Sequence, residues 1–275
     1  MSAIAKDASL VNELRASDPG SRLGAIDMIL SAPTEPLSDD VLDALIGCVG
    51  AAQKTIQRRA IDALGAVSES GDARVVERLR KTIRGDDRRL RWGSAYALGQ
   101  IGATAFTMDV ADALCEALSD DDGDIRWAAT NLMVRLGREN LAEIGARLLK
   151  LVVGDDRNAR KMALYCIRDL ELAGPELLAV VETAVHDPDV HVRLAGLSVL
   201  SRIRDTSGQA IKVLFECMKS DADAGVRRAA ASALGNIHNA TADAMAALES
   251  AAIDTADESL ARAARGALDR LEKRS

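Results

Sequence analysis

Apolar residues recur along this chain with the spacing of amphipathic helices. Residues 223–237, DAGVRRAAASALGNI, show the pattern most clearly, with Arg227 as its reference position. Apolar residues stand one position before this arginine and three, six, seven and ten positions after it. At about 100° per residue these positions lie on one side of a helix. The segment is therefore predicted to form a helix that buries one apolar stripe.

The same pattern occurs eight times, and successive copies are 33 to 35 residues apart, a period of about 34. The reference position is occupied in turn by Arg22, Gln57, Arg91, Arg126, Arg160, Arg193, Arg227 and Ala261. Regular recurrence at such a period is typical of repeat proteins, in which each unit buries its apolar face against the next.

Each repeat is predicted to be a pair of helices. A second apolar-periodic segment precedes the pattern, as in 73–83 and 208–218, so each unit reads as helix A, a short Asp-rich turn, helix B and a loop. All five prolines fall in those turns and loops, where a missing N–H does no harm. We predict an all-α fold, an α-solenoid of about eight helix pairs, in a single domain over residues 1–275. The units run approximately over residues 1–32, 33–67, 68–102, 103–137, 138–170, 171–203, 204–238 and 239–275.

An aspartate stands four residues before the reference position in seven of the eight units. At this place it can accept a hydrogen bond from the first free N–H groups of helix B. Stacking should also bring each of these aspartates near an arginine of the adjacent unit, which would form a ladder of ion pairs. The second repeat has Gln53 and Gln57 at these two positions, so no ion pair is expected there.

The consensus D-x-x-V-R-x-A-A-x-x-A-L-G-x-I resembles the HEAT repeat, in particular the short subtype first associated with phycobilisome lyases. The resemblance covers essentially the full chain. It implies a superhelical stack in which the exposed side of the B helices lines the inner, concave surface. Repeats of this kind specify a scaffold and say little about function.

Composition narrows the classes of protein further. Hydrophobic residues make up 48% of the chain and aromatic residues only 2%, which favours packed helices over a β-sandwich or barrel. The net charge of −7 argues against a protein that grips nucleic acid or an anionic membrane. Neither a secretory leader nor an apolar run long enough to span a membrane is seen, and the four cysteines stand apart. We therefore expect a cytoplasmic protein.

The positions one and five residues after the reference position, called here the outward columns, point almost directly away from the apolar stripe. Both tryptophans and both tyrosines of the chain occupy these columns in three consecutive repeats: Trp92, Tyr96, Trp127 and Tyr165. Clustered aromatic residues that face solvent usually mark a binding surface. The alternative is that the rings cover the seams between neighbouring B helices. The polar residues predicted to contact a partner beside these anchors are Arg58, Asn131, Arg135 and Lys161.

A second charged feature lies on a helix A. Arg74, Arg78 and Lys81 share one face, which would bind an anion if it were free. Residues 103–124 carry seven acidic residues and no basic one. We favour the interpretation that this next helix A neutralises the basic face.

No catalytic signature for phosphate, dinucleotide or ester chemistry is found, and no metal or cofactor is expected. The predicted function is a non-catalytic scaffold or adaptor that binds a segment of another protein in the concave groove. One alternative, implied by the lyase resemblance, is the handling of a tetrapyrrole or another small planar ligand. A lesser alternative is an alkylpurine DNA glycosylase, since Trp127 and Asn131 lie one helical turn apart. The amide of Asn131 cannot supply the carboxylate that such chemistry requires.

The eighth repeat differs from the others at two positions. Ala261 replaces the arginine, and Arg265 stands where the other units have an apolar or small residue. A terminal repeat needs an outer face that meets water, so we expect this unit to be the cap and Arg265 to be exposed.

Overall fold

A computed structural model describes residues 3–102, 107–203, 208–237, 242–254 and 256–273. The regular structure in these ranges is helical throughout, with sixteen α-helices that alternate along the chain as helix A and helix B of eight repeats. The predicted all-α solenoid of eight helix pairs is thereby confirmed. The chain divides into two compact units, Met1–Ala117 and Leu118–Ser275, which are described separately. The single continuous domain over 1–275 stays a prediction.

The first unit is a stack of helix pairs in which B helices pack on B helices and A helices on A helices. Helix α2 contacts α4 and α4 contacts α6, while α3 contacts α5 and α5 contacts α7. A 3-10 turn at Cys48–Gly50 packs against α6. The α-helices are α1 Ala3–Leu14, α2 Pro19–Ser31, α3 Asp39–Gly47, α4 Lys54–Glu69, α5 Arg74–Ile83, α6 Arg88–Ile101 and α7 Met108–Ala117.

The second unit has the same internal arrangement. Its B helices α8, α10, α12, α14 and α16 contact one another in sequence along the stack. The helices are α8 Gly123–Gly137, α9 Leu141–Val152, α10 Arg157–Asp169, α11 Pro175–Ala184, α12 Val190–Leu200, α13 Gln209–Ser220, α14 Ala224–Leu234, α15 Ala242–Ala252 and α16 Glu258–Glu272.

The apolar stripe forms the core between helices. In the seventh repeat its five members are all buried: Val226, Ala230, Ala233, Leu234 and Ile237. Alanines recur in this stripe because a small side chain lets neighbouring helices approach closely while apolar surface is still removed from water.

The predicted N-caps are confirmed in all seven repeats that carry the aspartate. Asp87, for example, accepts hydrogen bonds from the N–H groups of Arg89 and Leu90 at 2.8 and 3.0 Å. Gln53 makes no such bond at the start of α4. The seven capping residues are Asp18, Asp87, Asp122, Asp156, Asp189, Asp223 and Asp257.

The ladder of ion pairs exists, but the prediction of its acidic partner is wrong for most rungs. Arg160 pairs with Asp187 of the next repeat at 2.7 Å, and Arg193 pairs with Asp221 at 2.9 Å. Both acids stand two residues before the capping aspartate, at the start of the turn. Two capping residues do meet an arginine of the adjacent repeat: Asp257 pairs with the rung arginine Arg227 at 2.9 Å, and Asp189 lies 3.6 Å from Arg157. In the first unit, Arg91 pairs with Glu116, near the end of α7.

Each rung arginine also holds the turn of its own repeat. Nη1 of Arg193 donates to the carbonyl oxygens of Asp187 and Pro188, six and five residues earlier. The same two bonds recur at Arg91, Arg126, Arg160 and Arg227. In the second repeat Gln57 donates instead to the carbonyl oxygen of Val49 at 2.8 Å. One arginine thus fixes the turn within its repeat and the distance to the following repeat.

Replacing Arg193 by methionine should lower the free energy of unfolding by about 2 kcal/mol. The substitution removes four hydrogen bonds and leaves Asp221, whose side chain is only 9% exposed, without its partner. Urea denaturation provides the measurement. Arg59→Met is the control, because the Arg59–Asp27 pair is about half exposed and should contribute less than about 1 kcal/mol. Equal losses in the two variants would show that the rung adds nothing beyond a surface ion pair.

Two of the three cations on the basic face of α5, Arg74 and Arg78, are neutralised, although by a different helix from the one predicted. Arg74 pairs with Asp39 and Asp72, and Arg78 pairs with Asp39 and Asp43. These aspartates belong mainly to α3, the preceding helix A, rather than to the following one. The acidic α7 does take part through Asp109, which pairs with Arg84 at 2.6 Å.

Arg265 is exposed, as predicted for the eighth repeat. Its guanidinium donates a hydrogen bond of 2.6 Å to the carbonyl oxygen of Ala252, at the end of α15. The positive charge of Arg265 is favourable at this place, because a helix C-terminus carries a partial negative charge.

Candidate functional site

The described residues of the outward columns lie on the accessible face of the B helices, with one exception. Trp92 is only 6% exposed, so the prediction that it faces solvent is wrong. The other predicted site residues are accessible to different degrees. Arg58, Trp127, Asn131 and Arg135 are exposed, and Tyr96, Lys161 and Tyr165 are half-buried.

Part of the cover over Trp92 comes from its own helix. Tyr96 follows one turn later on the same face of α6, and the two ring centroids lie 5.1 Å apart at an angle of 38°. Two large rings one turn apart cover each other, because side chains on a helix lean back over the preceding turn. Trp92 is therefore a packing residue of the first unit and cannot anchor a partner.

In the second unit, the aromatic pair forms between two helices. Trp127 on α8 and Tyr165 on α10 have centroids 5.5 Å apart and are nearly parallel, at 13°. The pair bridges the seam between neighbouring B helices, which is the alternative that the sequence left open. Trp127 nevertheless keeps 49% of its surface exposed. The pair therefore covers the seam and still leaves about half of the indole accessible.

Arg168 also lies against the ring of Tyr165. Its guanidinium lies 5.0 Å from the centre of the Tyr165 ring and forms two hydrogen bonds with Asp169, at 2.7 and 3.0 Å. The guanidinium holds the pKa of the Asp169 carboxyl below its usual range, so this acid is ionised and occupied. A fork of two charged bonds restricts Arg168, which in turn restricts the ring beneath it. Arg168 and Asp169 stand eight and nine residues after Arg160, and nothing in the sequence indicates that they pair.

Lys161 lies one turn before Tyr165 on the same face of α10. Burial lowers the pKa of its ammonium group, and the charges of Arg126 and Arg157 lower it further. Asp189 acts in the opposite direction, yet it caps α12 and lies 3.6 Å from Arg157. The part of the chain that the structure describes offers Lys161 no carboxylate in an ion pair. The site therefore has a half-buried cation beside an exposed aromatic ring.

The accessible groups of this cluster are an aromatic face, polar groups and a positive charge. Trp127 offers a flat apolar surface, Asn131 and Arg135 offer polar groups on the same helix, and Lys161 offers a positive charge. Within the described ranges, no group of three or more His, Cys, Asp or Glu side chains is arranged to hold a metal ion. None of the described helices is long and apolar enough to cross a membrane.

Comparison with known proteins agrees with the geometry of the repeats. The model of HEAT repeats matches residues 42–134 and 145–234. The model of the PBS lyase HEAT-like repeat matches residues 226–254. No curated protein sequence matches the chain.

Several solved structures share the fold. Importin beta, crystallised in an ammonium sulfate condition, has a TM-score of 0.63 and 17% identity, over 96% of this chain and 40% of its own. The karyopherin Kap121p bound to the extreme C-terminus of the protein phosphatase Cdc14p has a TM-score of 0.62 and 13% identity, over 98% of this chain and 34% of its own. Kap121p bound to Nup53p has a TM-score of 0.57 and 12% identity, over 98% of this chain and 38% of its own. This chain thus spans at most about two fifths of those proteins, and at such identities the likeness concerns the fold alone.

The repeat period, the capping aspartates and the stacked helix pairs all agree with the family model, whose two matches cover well over half of the chain. The protein belongs to the HEAT-repeat family.

Proposed function

We propose that the protein is a non-catalytic interaction scaffold that binds a segment of another protein on the outward face of its B helices. The observation that carries the proposal is the half-exposed indole of Trp127, held flat by the ring of Tyr165. Tryptophan, tyrosine and arginine are the residue types that dominate binding hot spots. A ring that is already fixed in place loses little conformational entropy when a partner covers it. A cytoplasmic location stays a prediction.

The similar structures support this use of the fold. Kap121p has been solved with Nup53p and with the extreme C-terminus of Cdc14p, so this architecture serves to hold other proteins in that case. In stacks of this family the B helices line the concave surface, and we place the binding groove there. Trp127 and Tyr165 are its proposed anchors, and Asn131, Arg135 and Lys161 are its proposed polar contacts.

The geometry gives less support to a planar ligand. The rings of Trp127 and Tyr165 stack on each other and leave no slot of a ring's thickness between them. The carboxylate beside them, Asp169, is held by Arg168 and does not reach out as a catalytic acid would. Neither a tetrapyrrole nor an extruded DNA base gains a specific contact from these observations.

The test compares three forms of the full chain: wild type, Trp127→Ala and Phe215→Ala. Phe215 is 37% exposed on α13, a helix A of the same unit, so its loss removes a matched aromatic from the opposite side of the helix pairs. Each form is immobilised, and the proteins that co-purify with it are quantified by mass spectrometry. At least one protein retained by wild type and Phe215→Ala should be lost about tenfold or more with Trp127→Ala. Retention that does not depend on Trp127 would refute the proposed site.

A further inference from the structure

The charge on the outward columns of the second unit is opposite in sign to that of the chain. The chain has 35 basic and 42 acidic residues, a net charge of −7. The outward columns of repeats four to eight nevertheless contain no acidic residue. They hold three cations, Lys161, Arg228 and Arg262, of which the two arginines are exposed. The outward columns of this unit are therefore basic on an acidic protein.

Of the three cations in these columns, Lys161 is the one on the helix that carries Tyr165, one turn before it. It shares a face of α10 with Tyr165, which stacks on Trp127 at 5.5 Å. The surrounding charges from α8 and α10, Arg126 and Arg157, repel its ammonium group. The one carboxylate that acts on it, Asp189, is engaged by the N–H groups of α12. A half-buried cation in this position is stabilised when an anion arrives from outside the chain.

The acid nearest to the rings does not provide that anion. Asp169 accepts two hydrogen bonds from Arg168 and also lies within the influence of Arg202, an exposed arginine at the end of α12. The cluster around Tyr165 thus has one acid for two arginines. Electrostatic complementarity selects a negatively charged partner for such a surface.

Resting on the function proposed above, we propose that the bound segment is an acidic peptide. An apolar or aromatic side chain of the segment would pack on the exposed face of Trp127. A neighbouring aspartate or glutamate of the segment would pair with Lys161. A scaffold function alone does not imply an acidic partner, since an interaction scaffold could equally present an acidic or a neutral groove.

A peptide fits these observations better than a nucleic acid does. Nucleic-acid binding depends on many simultaneous phosphate contacts from lysine and arginine. Here several of the arginines along the B helices are already occupied by rung acids, including Arg160, Arg193 and Arg227. A chain of net charge −7 also repels a long polyanion more than it repels a short acidic segment.

The experiment selects binding sequences from a displayed library of random short peptides, with the full-length chain as bait and Trp127→Ala as the counter-bait. Peptides that depend on Trp127 should be enriched in Asp and Glu next to an apolar or aromatic residue. Their affinity should fall about tenfold in Lys161→Glu, and it should stay near the wild-type value in Lys150→Glu. Lys150 is an exposed lysine on α9, so the control carries the same change of charge on a helix A.

The possible outcomes separate the two proposals. Neutral or basic peptides that still need Trp127 would overturn the acidic inference and leave the interaction scaffold standing. Failure to enrich any peptide over the Trp127→Ala counter-bait would count against the proposed binding site itself. Full displacement of a selected peptide by a short single-stranded oligonucleotide of higher affinity would reassign the surface to nucleic acid and overturn the peptide.

Discussion

Trp92→Ala is expected to lower the free energy of unfolding by about 3–5 kcal/mol. Trp127→Ala should lower it by only about 1 kcal/mol, although both residues occupy the same position of their repeats. The difference follows from burial, because Trp92 is 6% exposed and Trp127 is 49% exposed. Removing the buried indole of Trp92 creates a cavity in the core. The indole of Trp127 already contacts water over about half of its surface, so its removal loses less buried apolar contact.

Urea denaturation of the two alanine variants measures the contrast. Trp92→Phe should fall between wild type and Trp92→Ala, since a phenyl ring refills part of the cavity. Because the chain has only two tryptophans, the phenylalanine variants also isolate each indole for fluorescence. Iodide should quench the emission of Trp127 in Trp92→Phe and have little effect on Trp92 in Trp127→Phe. Similar quenching of the two indoles would contradict the burial of Trp92.

The sequence could not distinguish these two tryptophans because a helical wheel reports an angle and not what the next turn contributes. In the third repeat the residue four positions after Trp92 is Tyr96, and the rings cover each other. In the fourth repeat the corresponding residue is Asn131, which leaves the face of Trp127 free to meet Tyr165 from the next helix. The pattern predicted which side of the helix carries the aromatics. Whether an aromatic pair forms within one helix or between two depends on the residue one turn after the tryptophan, which is Tyr96 in α6 and Asn131 in α8.

The ladder shows a similar limit. Periodicity located the arginines and the capping aspartates, and the caps are confirmed because their bonds are local. The rung acids were missed because a rung joins two repeats and depends on how far one turn reaches toward the next. A signal was present: Asp187 and Asp221 both stand six residues before the arginine of their own repeat. Each also accepts the N–H of its capping aspartate at 2.8 Å, so the first acid shapes the turn that carries it to the rung.

The ladder also bears on the proposed site. Arg160 fixes the turn before α10 through the carbonyl oxygens of Gly154 and Asp155 and pairs with Asp187 of the following repeat. These bonds set where α10 begins, and Lys161 and Tyr165 follow on the same helix. A scaffold that binds through a few fixed side chains benefits from a rigid frame, because the partner then meets groups that are already in position.

Gly93→Ala is expected to lower the free energy of unfolding by about 3 kcal/mol, near the upper end of what overpacking usually costs. A Cβ atom on Gly93 would lie 2.1 Å from the carbonyl oxygen of Val49 and 2.6 Å from its carbonyl carbon. Both are backbone atoms of the 3-10 turn, so no side chain can rotate away to make room. The same carbonyl oxygen accepts the hydrogen bond from Gln57, the residue that replaces arginine in the second repeat. Relief of the clash would therefore displace the turn and weaken that bond.

The matched control for this prediction is Gly24→Ala. Gly24 occupies the same position of the first repeat, two residues after Arg22, but a Cβ atom there would meet nothing within 4 Å. Alanine should stabilise α2 at this position by about 0.5–1 kcal/mol, because it lowers the entropy of the unfolded chain. Opposite signs for two glycines of the same repeat position, measured by urea denaturation, would show that α6 rests directly on the turn at Val49. Stabilisation by both alanines would instead mean that α6 and the turn have room to separate.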